Sequence, residues 1–192
     1  MILIVVLYEP LIWNLDFPIF GYTFWKFILF VFLPLAILYW SGAGKNIKST
    51  LSRFGVKKEG TGDSLKLGLF LIPLMLAIDA VISFWLGRSH MPSDNLYAGI
   101  MFFESFTEEF FFRGILFLFL WQLTDVRVAY ITSIASFVLI HPQYFWGIGM
   151  IPVIAQGVLT AIIVHKSKNL TGAWVLHGVN RVFSLSILPW FF

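Results

Sequence analysis

The chain has 192 residues and a formal net charge of +3, with 59% hydrophobic residues, 12% charged residues and 22 phenylalanines. A soluble domain carries roughly 25% charged and about 45–50% apolar residues, so this chain cannot cover a water-facing surface. Its long apolar runs reach the roughly 20 residues that a spanning helix needs and lack the alternation of a membrane barrel. The small charge, spread over loops, gives no support for nucleic-acid binding. The absence of cysteine excludes disulfides, thiolate metal sites and cysteine nucleophiles.

Residues 1–13 are apolar but short and interrupted by Glu9-Pro10, which predicts a short or partly inserted first helix. No basic leader or small-residue cleavage site marks a signal peptide. Residues 17–40 read as a span ending at Ser41-Gly42. The longest polar stretch, 41–63, carries Lys45, Lys48, Arg53, Lys57 and Lys58. A second span covers 64–87, with Asp63 as the expected N-cap and Gly87 as the stop. Residues 96–123 form a long helix that Ser93 or Asp94 can cap. The next helix, 126–140, rises from Thr124-Asp125 and stops at His141, because Pro142 disfavours helix at the residue before it. Residues 147–165 and 170–192 are the last spans. The expected architecture is all-α: one polytopic transmembrane helical bundle over 1–192, of six to seven spans, with N-terminal helices in 1–95. The excess of Lys and Arg in short loops puts the Lys45–Lys58 loop on the cytoplasmic side, together with Arg127 and Lys166/Lys168, leaving only Arg88 opposite. The expected location is the cell membrane.

An ionisable group at the bilayer centre costs roughly 2.5–3.5 kcal/mol on insertion scales and persists when it is paired or functional. Three late helices concentrate such groups. The first holds Glu104, Glu108, Glu109 and Arg113; the second ends at His141; the third carries His177, Asn180 and Arg181. Glu109 and Arg113 are four apart with the acid on the N-terminal side, the favourable order for an ion pair. Glu108 lies about 100° round the helix, on the stripe of Glu104. Two carboxylates on one stripe repel, so one must hold a proton or meet a base. At 1.5 Å per residue, Glu108 and His141 each lie ~22 Å from the basic end, whereas His177 lies ~10 Å in and Asn180 ~15 Å. Arg181 needs an acid, with Glu104 and Glu109 as candidates. Asp79, His165, Lys26 and Gln156 read as isolated residues with structural or interfacial roles.

Glu, His, His and Asn converging in a membrane suit hydrolysis of an acyl bond: a buried carboxylate takes a proton from water, and His and Asn donors hold the oxyanion. An H-E-x-x-H helix and a G-x-S-x-G turn are both absent. An aspartyl pair would need a second deep aspartate beside Asp79. The structural alternative for each group is a hydrogen-bonded residue that only packs helices.

Glu108-Glu109-x-x-x-Arg113, Phe137-x-x-x-His141, and His177 with Asn180 resemble the ordered motifs of the CAAX protease and bacteriocin-processing family, glutamic intramembrane endopeptidases with abortive-infection-like members. The resemblance covers about 95–190. It implies that Glu108 activates the water, His141 helps bind it, and His177 with Asn180 forms the oxyanion site. Glu109, Arg113 and Glu104 would support that geometry, in a cavity among the last four helices. The family usually has Asn four residues after the His, where this chain has Arg181. The implied activity is an intramembrane endopeptidase acting on a membrane-associated peptide or protein in the bilayer, without a cofactor. The depth arithmetic puts Glu108 nearer the outer face, which favours a membrane-anchored peptide or sorting tail over a prenylated cytosolic substrate. The alternatives are a protease using Zn²⁺ held by Glu108, His141 and His177, and a non-catalytic scaffold or immunity protein of the same fold.

Overall fold

The computed structural model describes residues 19–42, 44, 46–87, 91–144 and 147–191, so the helix expected in 1–13 lies outside the described residues. Among these there is no strand, and seven helices account for the architecture. Helix α1 runs Ile19–Phe27, through an i→i+5 (π) segment Ile28–Phe32, to Leu33–Trp40. The short α2 is Ile47–Arg53 and α3 is Thr61–Leu86. Helix α4 runs Asn95–Glu109, a π segment Phe110–Phe119, and Leu120–Leu123. Helices α5 (Val126–Leu139) and α6 (Met150–Ser167) follow. Helix α7 is Thr171–Val182, prolonged by a π segment Phe183–Ile187 and a 3₁₀ turn Leu188–Phe191.

Thr23–Trp40, Thr61–Leu86 and Met150–Ser167 are long and apolar enough to cross a membrane, and Val126–Leu139 is a shorter apolar helix. The bundle is apolar outside and polar within. Phe70, Phe84 and Trp85 face outward, while Lys26, Glu104, Glu108, Glu109, Arg113 and His177 are buried. That inversion suits a lipid surround, in which polar groups must find partners inside the protein.

Local chemistry explains most helix ends. Asp94 and Asp125 cap α4 and α5, accepting from Tyr97 N and Arg127 N, each at 2.7 Å. Asp63 does not cap α3; it sits in the first turn, and the helix starts after Gly60 at φ +76°. A Cβ at Gly60 would lie 2.5 Å from Ser167 O, so the left-handed turn tucks under the end of α6. The polar stretch 41–63 is not all loop: Asn46 accepts from Ser49 N at 3.1 Å and starts α2 there.

Helix α7 is central, packed against α3, α4 and α6. Its contact with α3 is backbone to backbone. Gly172 N donates to Ser64 Oγ at 2.9 Å, and Ser64 Oγ donates to Asn169 O at 2.9 Å. Buried Asn169 ties the same end together, donating to Lys57 O at 2.7 Å and Glu59 O at 3.0 Å. A Cβ at Gly172 would lie 1.8 Å from Ser64 O, and one at Gly68 would lie 2.5 Å from Gly172 O.

The π segments correct the depth arithmetic. Winding i→i+5 gives more residues per turn and less rise per residue than the 1.5 Å assumed. Phe110–Phe119 occupies most of α4 between Glu109 and the basic end, so Glu108 lies somewhat shallower than ~22 Å, which removes part of the mismatch with His177, and the two side chains meet. Aromatic packing accompanies this winding. Phe30, in the π segment of α1, stacks on Phe111 with centroids 4.9 Å apart and meets Phe112 edge-on at 5.6 Å. Ser133 on α5 donates to Phe112 O at 2.8 Å.

Gly172→Ala is expected to drive α3 and α7 apart and cost roughly 2 kcal/mol or more. Gly99→Ala, where a Cβ meets nothing within 4 Å, is expected to gain up to about 1 kcal/mol in helix propensity. Unfolding of both variants in detergent micelles checks the contrast.

Candidate active site

Three carboxylates and three fixed cations meet where α4, α7 and α1 come together. Glu104 and Glu108 share a stripe of α4, and both contact the buried Lys26 Nζ from α1. Arg181 on α7 reaches the same stripe, with Nη1 3.0 Å from Glu104 Oε2 and Nη2 2.7 Å from Glu108 Oε1. The like-charged pair therefore meets two bases. Of the acids expected for Arg181, Glu104 is a partner and Glu109 is not; Glu108 takes that place.

Glu109 faces another way, as its 100° offset requires. Arg113 Nε lies 3.3 Å from Glu109 Oε2, so the expected i,i+4 pair is formed. The Arg113 guanidinium also donates to Gly157 O at 3.2 Å and lies over the Phe137 ring, 4.3 Å from its centroid. His177 Nδ1 donates to Glu109 Oε1 at 2.7 Å. That bond fixes the ring and turns Nε2 towards Glu108 Oε2, 3.7 Å away. Glu108 Oε2 is buried and has no hydrogen-bond partner among the described residues.

Phe137 connects the remaining parts. Its ring meets His141 at 4.9 Å and stands edge-on to His177 at 5.9 Å. His141 Nδ1 donates to Phe137 O at 2.8 Å, which leaves Nε2 with a lone pair in the neutral ring. The Phe137 ring lies against both imidazoles and so joins His141 to the cluster. Glu108, Glu109, Arg113, His141 and His177 thus come together. Asn180 does not join the carboxylates: its Nδ2 donates to Gln156 Oε1 at 3.0 Å, towards α6. The helix turn accounts for this. Relative to His177, Arg181 sits about 40° to one side and Asn180 about 60° to the other. A glycine permits the approach, since a Cβ at Gly178 would lie 2.5 Å from the Phe102 ring on α4.

The residues read as isolated are all engaged. Lys26 holds two carboxylates, and Gln156 accepts from Asn180. Ser184 Oγ donates to Asp79 Oδ2, and Tyr130 Oη shares a 2.9 Å hydrogen bond with His165 Nδ1. The site also extends beyond the last four helices, because Lys26 comes from α1. A lysine inside an apolar run was the available signal, but no spacing along the chain names a partner 82 positions away.

The donor set does not suit Zn²⁺. Two cations already occupy one side of Glu108, and His177 Nδ1 is committed to Glu109. Among the described residues no three His, Asp or Glu side chains converge as metal ligands.

Removing one partner of a buried pair leaves an uncompensated charge and costs about 3–5 kcal/mol. Lys26→Met is expected to destabilise the fold by about 3 kcal/mol. Adding Glu104→Gln should recover part of that loss, with a coupling above about 1 kcal/mol in a double-mutant cycle read by unfolding in detergent.

Residues 94–183 match the family model described as type II CAAX prenyl endopeptidase Rce1-like. No curated protein and no solved structure matches the chain. The matched stretch opens at the Asp94 cap of α4 and closes as α7 enters its π turn, so it holds every site residue except Lys26. The matched stretch contains all three ordered motifs that resemble the CAAX protease and bacteriocin-processing family, so the family model and the motifs point to the same segment.

Proposed function

We propose that the protein is an intramembrane endopeptidase that cleaves a membrane-associated peptide or protein with water activated by Glu108. The observation that carries this reading is the division of the Glu108 carboxylate. Oε1 is held by Lys26 and Arg181, while Oε2 is buried, unpartnered among the described residues, and 3.7 Å from His177 Nε2. That separation is too long for a direct hydrogen bond, and a water lying to one side of both atoms can reach each of them. Oε2 takes a proton from the water, whose oxygen attacks the carbonyl carbon. The proton then passes to the amide nitrogen as the C–N bond breaks, which yields one carboxyl and one amine product. His141 helps bind the water, and Glu109 with Arg113 fixes the His177 ring. No metal is required. The Lys-rich end, including the Lys45–Lys58 loop, faces the cytoplasm in this reading, on the strength of its charge bias.

The balance of three carboxylates against three cations also favours a second reading, a scaffold whose polar cluster only holds helices together. Glu108→Gln separates the two. As a protease, purified protein in lipid nanodiscs cleaves quenched reporter peptides, one with a prenylated C-terminal cysteine motif and one membrane-anchored without a prenyl group. The variant then loses at least 10²-fold in kcat, the scale of a general base. Cleavage that survives the substitution removes Glu108 as the base, and a chelator should leave the wild-type rate in place.

A further inference from the structure

We infer that the basic end of the bundle carries a binding site for the phosphate of an anionic phospholipid, built on Lys57, Lys166 and Lys168. The inference is independent of the endopeptidase reading. Inside the bundle every cation of the polar cluster meets an acid: Lys26 and Arg181 meet Glu104 and Glu108, and Arg113 meets Glu109. At the basic end this matching is absent. None of Lys57, Lys166 and Lys168 forms an ion pair among the described residues. Instead they crowd one another: burial and the charges of Lys166 and Lys57 hold the Lys168 ammonium below the ordinary lysine range. The fold brings them together from separate segments. Asn169 Nδ2 donates to Lys57 O at 2.7 Å and Leu170 N donates to Gly55 O at 3.1 Å, so the turn before α3 is stitched to the turn after α6. A helix dipole accounts for cations at the C-terminal end of α6, but not for a third lysine brought in from the α2–α3 turn.

The three ammonium groups have different roles. Lys168 is fixed: its Nζ donates to His165 O at 2.6 Å and lies 3.3 Å from the centroid of the Trp121 ring on α4. It contributes standing charge rather than a free hydrogen bond. It is also the one non-glycine residue, among those described, with a left-handed backbone, at φ +54°, where a glycine or asparagine is the usual helix stop. Lys57 is half-buried and Lys166 exposed. Neither ammonium makes a hydrogen bond or ion pair among the described residues, so these two supply the N–H donors for phosphate oxygens. Location selects a lipid over a soluble anion. The site lies at the end of Met150–Ser167, a helix long and apolar enough to cross a membrane. Trp121 packs on His165 with ring centroids 4.7 Å apart, and Tyr130 Oη shares a hydrogen bond with His165 Nδ1; such aromatics gather at the membrane–water boundary. Val128 and Ile131 on α5 are exposed and apolar, a surface for acyl chains. A phospholipid uses both the lysines and this surface, whereas a soluble anion uses the lysines alone.

The test uses the full chain in maltoside micelles, with lipid binding titrated by native mass spectrometry. Phosphatidylglycerol is expected to bind about tenfold or more tightly than phosphatidylcholine of the same acyl chains. A lysine near an anionic lipid surface is worth a factor of about five, so Lys57→Gln/Lys166→Gln is expected to lose about 25-fold in phosphatidylglycerol affinity and to leave phosphatidylcholine unaffected. Lys57→Arg/Lys166→Arg keeps both charges and should keep the preference. Lys168→Gly retains the left-handed turn while removing the charge, and should lose about fivefold. Lys48→Gln removes an exposed cation of α2 from outside the cluster and should stay within about twofold. Glycerol phosphate, the same headgroup chemistry without acyl chains, should compete poorly; displacement of the lipid at equal concentration overturns a membrane ligand in favour of a soluble anion. Equal affinity of the wild-type protein for the two lipids, unchanged affinity in Lys57→Gln/Lys166→Gln, or a loss in Lys48→Gln as large as that in Lys168→Gly overturns the site.

Discussion

The fold depends on neutralising six charged side chains inside a bundle surrounded by lipid. Glu104, Glu108 and Glu109 all lie on α4, so their compensation has to come from at least one other helix. Arg113 supplies one charge from the same helix, Arg181 a second from α7 and Lys26 a third from α1. Buried pairs are weak evidence of net stability when compared with an apolar core, but breaking one is costly. The cluster therefore acts mainly as a constraint on arrangement. A packing that separates α1 or α7 from α4 leaves a carboxylate unpaired in hydrocarbon, and alternative packings of these apolar helices are penalised accordingly.

Shape complements charge. A guanidinium on α7 reaches α4 only because Gly178 lets Phe102 lie against the helix, and α7 is held against α3 through Gly172 and Ser64. The phenylalanines between Glu109 and the basic end form the floor of the site. Phe112 meets Phe137 edge-on at 5.4 Å, and Phe137 in turn touches both imidazoles and the Arg113 guanidinium. The π winding of that floor shortens the depth of Glu108 and so reduces its offset from His177. Such segments recur at functional sites because they re-aim side chains within an otherwise continuous helix.

Much of this was legible in the sequence because it is local. Apolar run lengths gave the spans, Asp94 and Asp125 announced two helix starts, and the four-residue spacing of Glu109 and Arg113 gave their pair. The ordered motifs named the histidines and glutamates that converge. What escaped is non-local or depends on winding. Lys26 sits in an apolar run, and its partners lie far along the chain. The depth mismatch between Glu108 and His177 came only in part from applying the α-helical rise to a segment wound as a π-helix; straight helices measured from one level cannot show how their residues meet. Asp63 has the chemistry of a cap, but the left-handed turn at Gly60 and its fit under Ser167 set the start of α3 instead.

In the proposed reading, a neutral cluster and a reactive carboxylate place opposite demands on Glu108. Pairing it fully would leave no lone pair for water, and leaving it bare in the membrane would favour the uncharged acid over the base. The geometry divides these demands between its two oxygens. Oε1 carries the electrostatic load with Lys26 and Arg181, and Oε2 is left facing an imidazole that Glu109 holds still.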